Sequence, residues 1–169
     1  GQIRGAYEVH AFQTAPGEMA ATFLDITERK RAAAQLQRQR DLDDLLIDSI
    51  PGPFFLTDAA LRLRRWNRLF EASSGYGAEQ LRALRLSELA ADADRARLER
   101  LCRQVLGEGS PASCECHLRS RQGASTPYHL VLVRLLEDGQ PRLLGVGIDL
   151  TELRRVERER DRLFDYSLD

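Results

Sequence analysis

Two short stretches of this sequence are near copies of each other, FLDITERK at residues 23–30 and GIDLTELRR at residues 147–155. In each, an aspartate follows an alternating apolar run, a glutamate stands three residues later, and a charged segment without glycine comes next. This spacing predicts a capping box at the start of a helix. The same pattern, predicted strands followed by a capped helix, therefore occurs twice in the sequence, which predicts tandem copies of one domain.

The segments around the first copy predict the end of one domain and then a linker. Residues 6–13 and 19–24 alternate in hydropathy on either side of a Pro-Gly turn, as expected of a hairpin. We interpret residues 1–26 as the last two strands of a truncated preceding domain, and we expect the sequence to be a piece of a longer polypeptide. Residues 27–50 are rich in good helix formers and predict a linker helix that ends at the PGP sequence.

One complete domain of α+β class is predicted between the junctions, at residues 51–150, with an exit linker helix at residues 151–169. Two short strands come first, then short helices, one longer helix and three strands. The fourth strand, within residues 127–136, carries apolar side chains on both faces. We therefore expect both faces of the sheet to be covered, one by the helical segment 67–107 and the other by the end of the helix before Ile50.

Composition argues against several classes of function. The 169 residues carry a formal net charge of -1, which argues against a nucleic-acid partner. No run reaches the roughly 18 apolar residues of a membrane span, so we expect no membrane insertion by this segment. Three cysteines make no disulfide framework and suit a reducing compartment, so we expect a cytoplasmic location.

The stretch WNRLFEASSGYGAEQL at residues 66–81, followed by the strand pattern and the closing GIDLTE, resembles the PAS sensory domain family. Residues 1–30 resemble the terminal hairpin and the DIT-E-R signature of a preceding PAS domain. The resemblance implies a five-stranded antiparallel PAS sheet with short helices on one face that enclose a pocket. Linker helices would flank this domain at both ends, with the extra β-hairpin at the N-terminus.

Seven residues are candidates to line such a pocket, although a filled core would explain them equally well: Phe55, Trp66, Asn67, Phe70, Leu98, Leu101 and Cys102. The cofactor is left unassigned. The Asn-Cys-Arg string of flavin-binding light sensors is missing, and His117 and His129 stand on predicted strands rather than on the long helix where a haem ligand is expected. The CECH sequence at residues 114–117 does not predict a metal site, because on a strand Cys114 and Cys116 share one face while His117 points to the other. Two small buried side chains are the preferred interpretation of the cysteines.

We hypothesise that the module forms a homodimer through helix 27–50 and passes a ligand or redox state to a neighbouring PAS or effector domain. The effector would be a histidine kinase or a diguanylate cyclase. A ligand-free PAS scaffold that only mediates dimerisation is the alternative, and catalysis is disfavoured because no acid, base or nucleophile set can be assembled. The residues predicted to relay the signal are those of the two junctions: Asp25, Thr27, Glu28, Arg29, Asp149, Thr151, Glu152 and Arg154.

The two junctions differ at one position. Arg29 stands four residues after the first aspartate, whereas Leu153 takes that place after the second. A PAS-type pair between aspartate and arginine at the second junction would therefore use Arg154 or Arg155. Further along, a broken heptad seam predicts weak helix pairing of the kind that suits a relay. The seam residues are Leu153, Val156, Arg160, Leu163 and Ser167.

Overall fold

The structure, a computed structural model, describes residues 5–165, except for the side chains of residue 14 and residues 163–165. Leu163 and Ser167 of the predicted seam therefore lie outside the described side chains. The chain divides into two compact units, the first ending at Leu46 and the second beginning at Ile47. Among residues 5–165, no helix combines the length and the apolar character needed to cross a bilayer.

The first unit contains a two-stranded hairpin and most of a long helix. Strand β1 (Tyr7–Ala15) pairs antiparallel with strand β2 (Glu18–Asp25). Gly17 turns the chain between them at a φ of 85°, a conformation that glycine adopts at little cost. The large apolar side chains that the hairpin exposes are Tyr7, Val9, Phe12, Met19, Phe23 and Leu24. An isolated hairpin is marginal in water, so this exposed surface indicates a missing partner.

Helix α1 (Thr27–Asp48) follows the hairpin and ends two residues before the predicted limit at residue 50. The early end is explained by the proline at position 51, which disfavours helical geometry in the residue before it. None of the helix's residues is buried, and Leu42 and Leu45 are 49% and 67% exposed. Most helical stability in proteins comes from packing an apolar face, and α1 leaves its apolar side chains exposed among the residues that the structure describes.

The second unit is a five-stranded antiparallel sheet with several helices, as the sequence predicts. Its strands are β3 (Phe54–Thr57), β4 (Leu63–Trp66), β5 (Ala112–Arg119), β6 (Ser125–Glu137) and β7 (Gln140–Asp149). They lie side by side in the order β4-β3-β7-β6-β5. The helices are α2 (Arg68–Ser74), α3 (Ala78–Ala83), α4 (Leu86–Leu89), α5 (Asp92–Glu108) and α6 (Thr151–Asp165).

The hydrophobic core lies between one face of this sheet and helices α2 to α5. Tyr128 and Leu132 of β6 point into it and are 5% and 0% exposed. On the opposite face Val131, Leu135 and Ile148 are 38%, 41% and 54% exposed. The expectation that both faces are covered is therefore wrong for the described residues. Apolar residues on both faces of a strand indicate that both can be buried, but do not identify what covers them.

Candidate functional site

Five of the seven predicted pocket residues are fully buried side chains of the core. Phe55 and Phe70 form a tilted aromatic pair with ring centroids 5.6 Å apart. Trp66 and Leu101 are only partly buried, at the margin of the same core. The five that are at most 2% exposed are Phe55, Asn67, Phe70, Leu98 and Cys102. The structure thus gives all seven a packing role, and contact with a ligand stays a prediction.

A small cavity lies beside these residues, with about 20 Å³ of space for the centre of a water molecule. That volume suffices for about one water. Of the predicted pocket residues only Phe70 lines it. The other lining residues, which sequence reasoning missed, come from α2, α4, β5, β6 and the turn after β5, among them Ser73, Ser120 and Tyr128. The buried hydroxyl oxygen of Ser120 lacks a hydrogen-bond partner among the described residues, which makes this a polar site that a water would satisfy.

Asn67 is a buried polar hub at the point where the chain enters the domain, with 1% of its surface exposed. Its Oδ1 accepts the amides of Phe54 and Phe70, both at 2.9 Å. Its Nδ2 donates to the carbonyl of Gly52 at 2.8 Å and to that of Ile47 at 3.4 Å. Asn67 thus caps helix α2, and the same side chain also ties the end of α1 to β3.

The two copies of the junction make the same backbone contacts. In each hairpin a tyrosine lies opposite the aspartate, Tyr7 opposite Asp25 and Tyr128 opposite Asp149. In each, the residue after the aspartate donates its amide to the carbonyl of the residue before the tyrosine, at 2.8 Å in the first copy and 2.9 Å in the second. The sequence duplication therefore corresponds to a duplicated local structure.

The caps of the two junctions are Asx turns rather than the expected capping boxes. Asp25 Oδ1 accepts the amide of Thr27 at 2.9 Å, and Asp149 Oδ1 accepts that of Thr151 at 2.8 Å. The carboxylate thus reaches the second residue after it instead of the third. The glutamates of the proposed boxes lie elsewhere: Glu28 is exposed beside the equally exposed Arg29, and Glu152 pairs with Arg155 at 2.9 Å.

Arg154 joins the exit helix α6 to strand β5. Its Nη2 donates to Oε2 of Glu115 at 2.7 Å, and its Nη1 lies 3.4 Å from Nε2 of His117. Its side chain is 29% exposed, whereas that of its neighbour Arg155 is 64% exposed. The ion pairs of both arginines thus go to glutamates rather than to the junction aspartate, contrary to the PAS-type pairing considered for this position.

His117 extends this contact to the start of helix α5. Oδ2 of Asp94 accepts the amide of His117 at 2.8 Å and lies 3.1 Å from its ring Nδ1, and Arg97 Nη2 donates to Oδ1 at 2.8 Å. The His117 amide, with further hydrogen bonds from Arg97 and the His117 ring, holds the pKa of Asp94 at about 2. A chain of polar contacts therefore runs from α5 across β5 to α6.

Three thiols lie where α5 packs against β5. Cys114 and Cys116 lie two residues apart on the strand; Cys116 and Cys102 of α5 belong to the hydrophobic core, and Cys114 packs against it. Burial raises the pKa of Cys102 to about 12. The hydrogen bond from Cys116, helped by the Arg97 charge, lowers the pKa of Cys114 to about 7. Among residues 5–165 no cluster of His, Cys, Asp or Glu is arranged to hold a metal ion.

A known protein family and several solved structures share this fold. A family model described as a PAS fold matches residues 47–155, a span that includes the exit junction. The PAS domain of an HTR-like protein from Haloarcula marismortui is 20% identical, with a TM-score of 0.60 over 71% of this chain and 98% of that one. No curated protein matches the sequence.

Two further solved structures are similar. A domain of a sensory box sensor histidine kinase/response regulator from Geobacter sulfurreducens is 21% identical, with a TM-score of 0.56 over 68% of this chain and 96% of that one. The LOV protein of Rhodobacter sphaeroides is 18% identical, with a TM-score of 0.57 over 68% of each chain. At these identities the likeness establishes the fold.

Proposed function

This chain belongs to the PAS fold family, and on that premise we propose that residues 51–150 are a sensory module that relays a ligand or redox state through its flanking helices. The module is non-catalytic, and its output is an effector domain such as a histidine kinase. The sensor histidine kinase/response regulator from which the Geobacter domain comes supports this choice of effector. A diguanylate cyclase is the other effector considered.

The observation that carries the proposal is the attachment of the exit helix to the sheet. Arg154 of α6 bonds to Glu115 and lies beside His117, so two successive residues of β5 contact the helix. A change that moves β5 therefore alters the contacts that Arg154 makes from the first turn of α6. An exposed ion pair stabilises by about 0.2–1 kcal/mol, which is weak enough for a domain state to make or break it.

The tandem arrangement is part of the proposal. The hairpin β1–β2 and helix α1 repeat the contacts that β6, β7 and α6 make, and the hairpin exposes apolar side chains that a complete sheet would cover. We interpret residues 1–26 as the end of a preceding PAS domain. In that arrangement α1 is the exit helix of one domain and the entrance helix of the next.

Dimerisation through α1 is supported by its unburied apolar positions. Leu42 and Leu45 lie three residues apart on one side of the helix, and both are about half exposed or more. We expect the chain to sediment as a dimer at high micromolar concentration. Leu45→Glu, which puts a charge into the pairing face, should raise the dimer dissociation constant at least about tenfold.

Ala33→Glu is the matched control for this experiment. Position 33 is exposed on the same helix, on the side opposite to residue 42 at the helical repeat of about 3.6 residues. It should leave the sedimentation profile unchanged. A monomer in the unaltered chain, or equal weakening by both variants, would refute dimerisation through this face.

The second candidate function is the ligand-free scaffold, and the small cavity favours it. A space that holds about one water leaves no room for a cofactor without displacement of core side chains. Mass spectrometry of the small molecules released when the purified protein is denatured separates the two candidates. A stoichiometric released compound supports the ligand sensor, and its absence supports a scaffold or a sensor whose input is redox chemistry on its own side chains.

A further inference from the structure

We propose that Cys114 and Cys116 are a reversible redox pair, in which a hydroperoxide oxidises Cys114 and Cys116 then closes a disulfide. This modification site deepens the proposed function, because it names a chemical input to the same β5–α6 contact. The redox chemistry itself stands on the local geometry of β5, and only its transmission to α6 rests on the proposed function.

The two thiols are placed to react with each other. Residues two apart on a strand share a face, and both side chains lie on the face of β5 that packs against the core. Cys114 is partly exposed, so a small oxidant reaches it from solvent, whereas Cys116 is buried at 2% exposure. The assignment follows from this difference: the accessible sulfur is oxidised first, and the buried one then attacks the resulting sulfenic acid.

The surroundings favour the thiolate at Cys114. The positive charge of Arg97 acts on both thiols, and its guanidinium donates to the carbonyl of Glu115, which lies between them in sequence. The carboxylate of Asp94, which pairs with Arg97, acts on Cys114 in the opposite direction. A thiol is reactive only as thiolate, and a positive neighbour with a hydrogen-bond donor stabilises that form. Cys102 lacks these conditions, because it is 0% exposed and burial raises its pKa.

The reaction has two balanced steps. The Cys114 thiolate attacks hydrogen peroxide, the O–O bond breaks, and Cys114 becomes a sulfenic acid while the leaving hydroxide takes a proton to give water. The Cys116 sulfur then displaces hydroxide from Cys114, which leaves as water with the Cys116 proton, and an S–S bond forms. The two sulfurs lose two electrons in total, and the peroxide gains them.

The disulfide would distort the strand at Glu115. Two strand steps span about 6.6 Å, at the upper end of the Cα separations that a disulfide bridges, so closure draws the two cysteines together. The residue between them must move, and that residue is the partner of Arg154. A strained disulfide of this kind is also readily reduced, which makes the modification reversible.

Peptide mapping after peroxide treatment tests the redox pair in the full chain. Trypsin should release residues 104–119 as one peptide that contains both cysteines and excludes Cys102. We expect this peptide to lose the mass of two hydrogen atoms on oxidation and to regain it with dithiothreitol. The rate should be about tenfold lower at pH 6 than at pH 8, as expected for the thiolate of a group titrating near 7.

Replacing one cysteine at a time identifies which thiol is oxidised first and which one closes the disulfide. Cys114→Ser should abolish the mass loss. Cys116→Ser, or Cys116→Ala if the serine destabilises the core, should stop the reaction at a sulfenic acid that dimedone traps. Cys102→Ser is the matched control and should leave the rate unchanged. An unmodified 104–119 peptide, or a rate that depends on Cys102 rather than on Cys114, would overturn the proposal.

Hydrogen exchange of α6 in the oxidised and reduced protein then tests the transmission separately. We expect the amides of residues 151–158 to exchange about fivefold faster in the oxidised form, because the Arg154 contact is lost. If the disulfide forms and this exchange is unchanged, transmission to α6 is refuted while the redox pair stands.

Discussion

Asn67→Ala should lower the free energy of unfolding by about 3 kcal/mol or more, one of the largest losses expected from a single substitution in this domain. The change removes four hydrogen bonds and leaves the amides of Phe54 and Phe70 and the carbonyl of Gly52 without this partner. The carbonyl of Ile47 still accepts the amide of Ile50. A buried polar group without a partner costs about 1–3 kcal/mol. Urea unfolding followed by the fluorescence of Trp66, the single tryptophan, measures the loss.

Asn67→Asp is the informative companion variant. It keeps the acceptor of the Phe54 and Phe70 amides but replaces the donor to the carbonyls of Gly52 and Ile47 with a second oxygen. Its destabilisation at neutral pH combines the loss of the donor with the cost of burying a carboxylate charge beside two carbonyls, so it should be large although both amides keep their acceptor. If Asn67→Ala costs less than about 1 kcal/mol, the hub does not hold the end of α1 to the domain.

Gly145→Ala should destabilise the domain by about 1–3 kcal/mol or more through overpacking. A Cβ at position 145 would overlap the ring of Phe55, which lies directly against this glycine of β7. The ring of Phe55 cannot move away from the added Cβ, because it is 0% exposed and packs against Phe70. Thermal or urea unfolding of the purified variant measures the effect.

The double variant with Phe55→Leu tests this cause. Removing the ring should relieve the overlap, so that Gly145→Ala costs less in that background than in the unaltered chain. Gly107→Ala is the control, because a Cβ there meets no atom within 4 Å and α5 gains a better helix former. Additive losses in the double variant would show that contact with Phe55 is not the cause.

The local parts of the junctions are predictable from the sequence. Asp25 and Asp149 end alternating runs and cap the helices that follow, as the sequence predicts. Each carboxylate nevertheless bonds the threonine two positions on instead of forming the predicted capping box. The strand and helix order followed from periodicity in the same way. Local pattern also predicts the helix that starts after Asp149, given as residues 151–169, and the hairpin before Asp25.

The partners across the fold were not predictable. Arg154 was a candidate relay residue, yet its bond to Glu115 depends on the register between β5 and β6, which a single sequence does not fix. Asp94 and Arg97 were missed for the same reason, because an ion pair one turn apart on a helix is ordinary and only their contacts with β5 make them notable. The cavity residues likewise come from separate elements.

The sequence interpretation of CECH does not include the electrostatic surroundings of its two cysteines. Strand alternation correctly put Cys114 and Cys116 on one face and His117 on the other. A buried structural role was then preferred for both sulfurs. The neighbouring charge that changes this interpretation comes from Arg97 on α5, more than ten residues earlier in the chain.

Hydrogen exchange along α6 in Arg154→Gln and Arg155→Gln tests most directly whether the exit helix is coupled to the sheet. The two residues are neighbours with the same chemistry, but Arg154 bonds to β5 whereas Arg155 pairs with Glu152 inside the helix. We expect Arg154→Gln to speed exchange of residues 151–158 about fivefold and Arg155→Gln to change it less than about twofold. Equal exchange in both variants and in the unaltered chain would contradict the coupling.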